Sequence, residues 1–408
     1  MKLWPEGNFA VLSVFSAIIL SFLFLSSCRS AAPPTAETAS DIESSMDVTD
    51  VDSDVKYLPV VPAEQSESSV IAYRSGYDGM TVRDLAARLS SGGGYNEKWE
   101  LFLYSRPYQV RLRFEISNFA FSENEGRVRG KIVRYEGDEQ VEEIGINEVF
   151  KAGSWSASRR SLDVKMGSFR LYLNEEGEYV LEGKQDDVSF RLITEARSWK
   201  PGTGDVIFGK DGGYLSYQVM TIDGAVRGAF ERGGVSVPVT GTGYGNHYAT
   251  NVAVQEMADE FYDSRLSTED GVFIEYRYYR ASSKYGNVPF GFFVVAYQGE
   301  VIFSTTDLRF EGTSEWLDDA HYGYVINNGI RIRGSAGNDF FVFEALPSTD
   351  IEAKDVYSNL SRLQRAVAER FAKPVDYNVT GSWRLDLHID GMDATVHGSK
   401  SYSITRLR

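Results

Sequence analysis

Short runs of alternating apolar and polar residues recur through most of this chain of 408 residues. From Val110 to Asn118, Val, Leu, Phe and Ile alternate with Arg, Glu and Ser. A period of two places the apolar side chains on one face of a β-strand. Comparable runs follow about every ten residues and are separated by turn signals such as Glu136-Gly137-Asp138. The pattern predicts an all-β protein built from antiparallel barrels or half-barrels.

The predicted strands form two sets, which are separated by the turn Trp199-Lys200-Pro201-Gly202. We therefore expect an N-terminal β-domain over residues 66–230 and a C-terminal β-domain over residues 231–408. The second set is predicted at Leu215–Thr221, Ala225–Phe230, Val235–Thr240, Val272–Tyr279, Phe292–Tyr297, Val301–Phe310, Tyr324–Ile332, Phe340–Phe343, Trp383–Ile389 and Lys400–Arg406.

The composition argues against nucleic acid as a partner. Lys and Arg total 42 against 58 Asp and Glu, which gives a formal charge of −16 and repels phosphates. The chain also has 24 Tyr, 24 Phe and 38 Gly, as expected for aromatic strands broken by tight turns.

One stretch, Pro238 to Val254, concentrates unusual backbone chemistry. Gly241, Gly243 and Gly245 alternate with Thr and Tyr, so one face of an extended segment would carry no side chains. Such a face indicates close backbone approach, a barrel corner or a ligand wall. His247 follows directly. Two interpretations are open for it: a residue at the mouth of a ligand cavity, or a histidine hydrogen-bonded inside an aromatic core.

Cys28 is the only cysteine, which excludes an intrachain disulfide. It follows a segment from Asn8 to Ser27 without charged residues, and small residues directly precede it. This order predicts a bacterial lipoprotein signal peptide over residues 1–27, with lipidation of Cys28. An uncleaved transmembrane anchor is the alternative, because the apolar run approaches the length of a membrane span.

Residues 28–65 are predicted to form a disordered acidic tether, because seven acidic residues and no Lys or Arg occur between Ser30 and Val55. The chain has Arg29 where an aspartate would signal inner-membrane retention. We therefore expect a protein of the bacterial cell envelope that is lipid-anchored in the outer membrane, facing the periplasm or the cell surface.

Two helices are predicted among the strands. A short one opens at Thr81, with Asp84 as a reciprocal cap, and ends before Gly92. A longer amphipathic helix is expected from Asp350 to Ala372, because apolar residues recur there at spacings of three and four behind a Thr349 and Glu352 capping box. It would pack against the outside of a barrel near the C-terminus.

The chain resembles a known group of proteins in the block that begins at Gly243. The order Gly243-Tyr244-Gly245-Asn246-His247, together with the Trp-Lys-Pro-Gly turn before it, is similar to the lipocalin-like superfamily of hydroxyneurosporene synthase, which is a carotenoid hydratase. Bacterial attachment-protein homologues and survival-factor lipid-binding proteins belong to the same superfamily. The resemblance covers about residues 95–408 and implies two consecutive lipocalin-like β-domains.

The block departs from the family at a position that matters for activity. The family's Gly-Tyr-His-Asp-His-Asn-Trp-Gly block has an aspartate where this chain has Asn246, and an amide cannot deliver a proton to an alkene. Other carboxylates could replace it, although each has a simpler interpretation as a surface charge: Glu256, Asp259, Glu260 and Asp386. No metal, phosphate-binding or hydrolase motif is present, so no cofactor is expected.

We expect a protein that binds or shuttles a hydrophobic small molecule, such as a lipid or polyene, rather than an enzyme. A hydratase or isomerase acting on an unsaturated lipid is one alternative, and a structural or adhesive surface lipoprotein is another. Protein partners stay open. We expect a cavity beside Gly243 and His247, mainly in the second β-domain. The predicted ligand-binding residues are Gly243, Tyr244, Asn246, His247, Tyr248, Tyr276, Tyr278, Phe292 and Tyr297.

Overall fold

The structure is a computed structural model that describes residues 71–73, 82–90, 94–118, 124–196, 204–209, 212–312, 316–319, 321–327, 329–358 and 373–407, with residues 362, 365 and 369. Residues 1–70, which include Cys28 and the predicted signal peptide and tether, lie outside these ranges, as does the predicted turn at residues 199–202. None of the helices within the described ranges has the length and hydropathy needed to cross a membrane.

The first sheet has thirteen strands in the order β5-β4-β3-β2-β13-β12-β10-β9-β8-β7-β6, with β11 joining β12 and β1 joining β11. All of its pairings are antiparallel, and it closes into a nearly complete barrel. The strands are β1 Ile71–Tyr73, β2 Asn96–Arg106, β3 Tyr108–Ser117, β4 Glu125–Glu136, β5 Glu139–Phe150, β6 Trp155–Ala157, β7 Asp163–Met166, β8 Phe169–Leu173, β9 Tyr179–Gln185, β10 Val188–Thr194, β11 Gly204–Phe208, β12 Gly213–Arg232 and β13 Val235–Thr250.

The second sheet has ten strands in the order β17-β16-β15-β14-β25-β24-β22-β21-β18, with β23 pairing with β24, while β19 and β20 form a separate ribbon. It is also a nearly closed antiparallel barrel. The strands are β14 Ala258–Ser267, β15 Val272–Ala281, β16 Pro289–Tyr297, β17 Glu300–Thr305, β18 Leu308–Gly312, β19 Trp316–Asp319, β20 Tyr324–Asn327, β21 Ile330–Ala336, β22 Asp339–Ala345, β23 Asp350–Asp355, β24 Val375–Ile389 and β25 Met392–Arg406.

Tight turns connect the long hairpins where the sequence indicates them. Gly233 and Gly234 join β12 to β13 with φ values of 57° and 80°, and Asp390 and Gly391 join β24 to β25 with values of 51° and 76°. Two successive residues in this left-handed region suit two-residue hairpin turns, whose twist matches that of the strands. The predicted turn at Gly137 is confirmed between β4 and β5. The all-β fold class follows from these elements.

The apolar side chains form three cores rather than two. The first-barrel core includes Trp99, Leu101 and Phe114, and the second-barrel core includes Tyr276, Phe293 and Phe343. A third core lies between the barrels, where the outer faces of the two sheets pack together. This inter-sheet core includes Phe102, Tyr217, Tyr244, Tyr248, Phe261, Phe273, Tyr279, Phe290 and Phe292.

The boundary predicted between residues 230 and 231 lies beside the hairpin that joins β12 to β13, within the first sheet. The chain leaves the first sheet at Thr250 and enters the second at Ala258, through the helical turn Val254–Met257. Leu215–Thr221 and Ala225–Phe230, predicted as two strands, form the single strand β12 with register shifts near Thr221.

The two predicted helices are shorter than expected. Near Thr81 the structure has only a 3₁₀ turn, Val82–Leu85. The predicted capping box at Glu352 is wrong, because Asp350–Asp355 is strand β23 and pairs with β24. Most of residues 359–372 lie outside the described ranges, although the Glu369 amide donates to the Arg365 carbonyl (2.9 Å), as in a helix. Pairing along β24 outweighs the local helical pattern at Asp350–Asp355.

Candidate functional site

Aromatic rings line both sides of the contact between the two sheets. The Tyr217 ring of β12 stacks on Phe292 of β16 with centroids 5.1 Å apart, and the Tyr244 ring of β13 stacks on Phe273 of β15 at 5.8 Å. These side chains point outward from the barrels because they alternate with residues of the barrel cores. The inter-sheet core is therefore an aromatic layer that neither barrel completes alone.

Glu275 lies at the centre of this layer with only 1% of its surface exposed. The Tyr217 hydroxyl donates to its Oε1 at 2.7 Å, and the Tyr244 hydroxyl donates to its Oε2 at 2.8 Å. Burial raises the pKa of both tyrosines above the usual range, so both stay protonated donors. A buried carboxylate thus holds two hydroxyls of the opposite sheet.

Two arginines accompany Glu275. The Arg265 Nε lies 3.3 Å from Glu275 Oε1, and its guanidinium lies over the Tyr244 ring at 4.2 Å. The Arg277 guanidinium lies over the Tyr217 ring, also at 4.2 Å. Arginine over an aromatic face gains from the ring quadrupole, and more so when water is excluded.

Asp263 stands opposite Arg277 in the β14–β15 register and is 7% exposed. Burial raises its pKa to about 6, although Arg277 and Arg265 act to lower it. Its Oδ1 has no hydrogen-bond partner among the described residues. Asp263 can therefore gain or lose a proton near neutral pH inside an aromatic environment. We call Tyr217, Tyr244, Asp263, Arg265, Glu275 and Arg277 the inter-sheet cluster.

A second buried carboxyl lies two strands away on the same sheet. Asp376 of β24 accepts a hydrogen bond from the Thr405 hydroxyl at 2.7 Å. Burial raises its pKa to about 7, and the charge of Asp263 adds to the increase. The register pairs Asp376 with Thr405, which in turn pairs with Phe261 of β14. The two carboxyls therefore share one face of the second sheet.

Asn246 does not stand beside a free carboxyl. Its Nδ2 donates to Glu100 at 3.4 Å, and Glu100 forms a buried ion pair with Arg113. Burial acts to raise the pKa of Glu100, but Arg113, Arg111 and Arg265 together hold it well below its usual range. Glu100 is thus a permanent anion, which excludes it as a proton donor.

His247 is fully buried on the opposite face of β13, towards the first-barrel core. Its Nε2 lies 2.8 Å from Glu97 Oε1, its Nδ1 lies 2.8 Å from the Asp84 carbonyl oxygen, and its ring stacks on Trp99 at 4.8 Å. Glu97 also accepts both the Tyr95 hydroxyl and the Arg88 amide. The second interpretation from the sequence, a histidine hydrogen-bonded inside an aromatic core, describes this environment.

The glycines before His247 allow close packing rather than open space. A Cβ on Gly243 would lie 2.8 Å from Leu103 and 3.1 Å from both Thr194 and Val226, and one on Gly241 would lie 1.8 Å from the Tyr104 carbonyl oxygen. Neighbouring strands and side chains already fill this face of β13. The expectation of a hollow beside Gly243 and His247 is therefore wrong at this position.

The other predicted ligand-binding residues fall in three places. Tyr248 and Phe292 lie with Tyr244 in the inter-sheet core. Tyr276 and Tyr278 point the other way, into the second-barrel core, where Tyr276 stacks on Phe293. Tyr297 ends β16 with 44% of its surface exposed, so it lies apart from the other predicted ligand-binding residues.

Three of the four carboxylates considered from the sequence form salt bridges. Glu256 is exposed and pairs with Lys284, and Asp386 pairs with Arg384. Glu260 is buried rather than solvated, because Arg280 and Arg406 pair with it. For Asp259, it is the backbone carbonyl that accepts a hydrogen bond, from the Leu407 amide.

Sequence reasoning missed Asp263, Glu275 and Arg277. A signal was available, because in β14 and β15 charged residues alternate with aromatic and aliphatic ones of the second-barrel core and share their face with Phe261, Phe273 and Tyr279. A strand face that carries both charges and large aromatic rings is not an ordinary solvated face. Within the described ranges, no three His, Cys, Asp or Glu side chains are arranged to hold a metal ion.

No family model and no curated protein matches this sequence. Several solved structures are similar to it. Kievitone hydratase from Nectria haematococca is 13% identical with a TM-score of 0.43, and the match covers 83% of this chain and 96% of that one. CghA is 10% identical with a TM-score of 0.44, over 84% and 99%. An attachment-protein (AttH) homologue from Nitrosomonas europaea is 14% identical with a TM-score of 0.42, over 80% and 96%.

These structures have lipocalin-like folds of the carotenoid-hydratase type, the group that this chain resembles in sequence. At such low identity, the likeness concerns the fold alone.

Proposed function

We propose that this protein binds a hydrophobic small molecule, such as a lipid or polyene, between its two β-sheets. The observation that carries the proposal is the inter-sheet cluster, in which a few convergent polar groups lie within aromatic walls. Ligand sites commonly combine mostly apolar walls with a few placed polar groups, and they occur preferentially where domains meet. Each methylene removed from water contributes about 0.8 kcal/mol, so an acyl chain or polyene suits such walls.

A polyene fatty acid whose fluorescence rises in apolar surroundings tests the proposal with the full chain. We expect saturable binding that Phe292→Leu weakens several-fold, because Phe292 faces the inter-sheet core. Phe343→Leu is the matched control, since Phe343 is equally buried but lies in the second-barrel core. If Phe343→Leu lowers the affinity and Phe292→Leu does not, the site lies in the second barrel instead. If the wild type does not bind the probe, the proposal is refuted.

Asp263 favours a second candidate, a hydratase or isomerase of an unsaturated lipid. A neutral carboxylic acid in apolar surroundings can protonate a carbon–carbon double bond, and the carboxylate formed can take a proton back. In an isomerase the returned proton comes from a neighbouring carbon of the cation, and in a hydratase it comes from the water that has added to it. A pKa of about 6 leaves part of Asp263 protonated near neutral pH.

Deuterium uptake from D₂O into a polyene fatty acid detects both reactions. The wild type would incorporate deuterium, whereas Asp263→Asn would bind the same probe and incorporate none. Asp386→Asn, a surface variant, would behave as the wild type. Binding by the wild type without deuterium uptake would leave carriage of this probe as the function.

We further propose that lipidation of Cys28 anchors the protein in the outer membrane of the cell envelope. The support is the single cysteine at the end of an apolar segment, followed by an acidic tether. Cys28→Ser would abolish labelling with a palmitate analogue and stop cleavage at residue 27, which a larger product on a gel would reveal. An unchanged size would indicate the alternative, an uncleaved anchor.

A further inference from the structure

Arg277 is a buried cation without a carboxylate partner at contact distance. Only 8% of its surface is exposed, and in the described part of the chain no carboxylate forms a salt bridge with it. Its contacts are the Tyr217 ring at 4.2 Å and the neighbouring Tyr279 side chain. Burying a charge without a close counter-ion is costly, so this arrangement needs compensation.

Asp263 acts on Arg277 through its charge, but among the described residues it forms no salt bridge with it. Arg265 pairs with Glu275, and Arg113 pairs with Glu100, so both of these nearby carboxylates already have a cation at contact distance. Asp263 faces Arg277 across the strand pair, but its Oδ1 has no hydrogen-bond partner among the described residues.

Arg111 adds a cation at the rim of the inter-sheet core. It lies on β3 over the Phe102 ring at 4.5 Å, and no described carboxylate forms a salt bridge with it. Its register neighbour on β4, Lys131, pairs with Glu143, and Arg113 pairs with Glu100. In a chain with a formal charge of −16, Arg111 would draw an anion towards the aromatic layer.

We infer that the hydrophobic ligand bound between the sheets carries a carboxylate headgroup, which enters past Arg111 and pairs with Arg277. The inference rests on the proposed function, since it names the class of molecule that the same site takes. An Arg–carboxylate pair is bidentate and charge-assisted, and it is among the strongest contacts available in a dry site. The apolar chain of the ligand would lie against the aromatic walls.

Two probes with the same polyene chain separate the headgroup from the chain: the fatty acid and the corresponding fatty alcohol. We expect the wild type to bind the acid at least tenfold more tightly than the alcohol. Arg277→Met should remove this preference, so that the acid and the alcohol bind with similar affinity. Arg191→Met is the control, because Arg191 is exposed on the first sheet, and it should keep the full preference.

Asp263→Asn provides an independent variant with the opposite expected effect. It removes a negative charge beside Arg277, so the ratio of the affinity for the acid to that for the alcohol should rise above the wild-type value. If Arg277→Met does not fold, Arg277→Lys should retain a reduced preference for the acid. Equal binding of acid and alcohol by the wild type would overturn the headgroup inference and leave the proposed function standing. Failure of both probes to bind would refute the proposed function, and this inference with it.

Discussion

Tyr244 and Glu275 connect the two β-sheets through a buried hydrogen bond of 2.8 Å between the phenol hydroxyl and a carboxylate oxygen. The tyrosine belongs to the glycine-rich strand β13 and the glutamate to β15, 31 positions later in the chain. Because Glu275 also accepts from Tyr217, the last two strands of the first sheet reach the second sheet through one carboxylate. The site and the contact that holds the two barrels together are therefore the same structure.

Removing the Tyr244 hydroxyl should destabilise the contact between the sheets. Hydrogen bonds to charged groups contribute about 1.5–3 kcal/mol, so we expect Tyr244→Phe to lower the free energy of unfolding by about that amount. A double-mutant cycle with Glu275→Gln, followed by urea unfolding, should give a coupling energy above about 0.5 kcal/mol. Tyr172→Phe is the control, since it keeps the ring that Arg170 contacts and removes a hydroxyl that accepts a long bond from Arg191 at the surface. Additive effects in the cycle would contradict the role of the pair.

Asp376 should make stability depend on pH. Its folded-state pKa of about 7 lies above the ordinary value of 3.8, so the folded protein binds more protons between these limits. Proton binding to Asp376 therefore stabilises the folded state fully below about pH 4, and this stabilisation is lost as the pH rises to about 7. Asp376→Asn removes this loss, so the variant should exceed the wild type by roughly 3–4 kcal/mol at pH 8. Thermal unfolding at pH 5 and pH 8 measures the difference.

The control variant for that prediction, Asp386→Asn, is expected to change stability in the opposite direction. Asp386 lies near the surface, and although burial acts to raise its pKa, bonds from Thr395 and Arg384 hold it below the usual range. Its carboxylate stabilises the fold above the ordinary pKa and ceases to do so as pH falls. Asp386→Asn should therefore lose a little stability at pH 8. A wild-type pH profile that is unchanged by Asp376→Asn would show that the buried carboxyl does not titrate as inferred.

Gly241 and Gly145 should respond differently to the same substitution. A Cβ on Gly241 would lie 1.8 Å from the Tyr104 carbonyl oxygen, so β2 and β13 would have to separate, whereas a Cβ on Gly145 has open space around it. We expect Gly241→Ala to cost about 3 kcal/mol or more, at the upper end of single substitutions. Gly145→Ala should be neutral or stabilising by about 0.5 kcal/mol. Circular dichroism melting curves of the two variants, each against the wild type, provide the test.

His247 should matter for folding and not for ligand binding. Its removal leaves Glu97 without one hydrogen-bond partner in a fully buried network, and leaving a buried polar group unsatisfied costs about 1–3 kcal/mol. His247→Ala should therefore unfold at lower urea concentration, while the exposed control His397→Ala should not. At temperatures where His247→Ala is folded, its affinity for the polyene probe should equal that of the wild type. A selective loss of affinity would support a direct role for His247 at the ligand.

The period-two pattern predicted which side chains of β3 fill the first barrel, because alternation along a strand is a local property. Phe114 and its alternating neighbours on β3 lie in the first-barrel core as the pattern indicates. Local pattern was less reliable at Asp350–Asp355, where helical spacing coincides with a strand held by pairing to β24. Because strands that pair are distant in the sequence, the pattern within one segment cannot show which pairings will form.

The sequence by itself determined the all-β class, the turns, and the importance of the strand that carries Gly243, Tyr244 and His247. Only the tertiary structure decided what the two faces of that strand do: His247 points into a filled barrel, and Tyr244 points at Glu275. The physical reason is that a strand's sequence shows two faces but not what covers the outer one. Asp263 and Arg277 would be ordinary surface charges if water covered β14 and β15. The packing of a second aromatic sheet over them makes them a site.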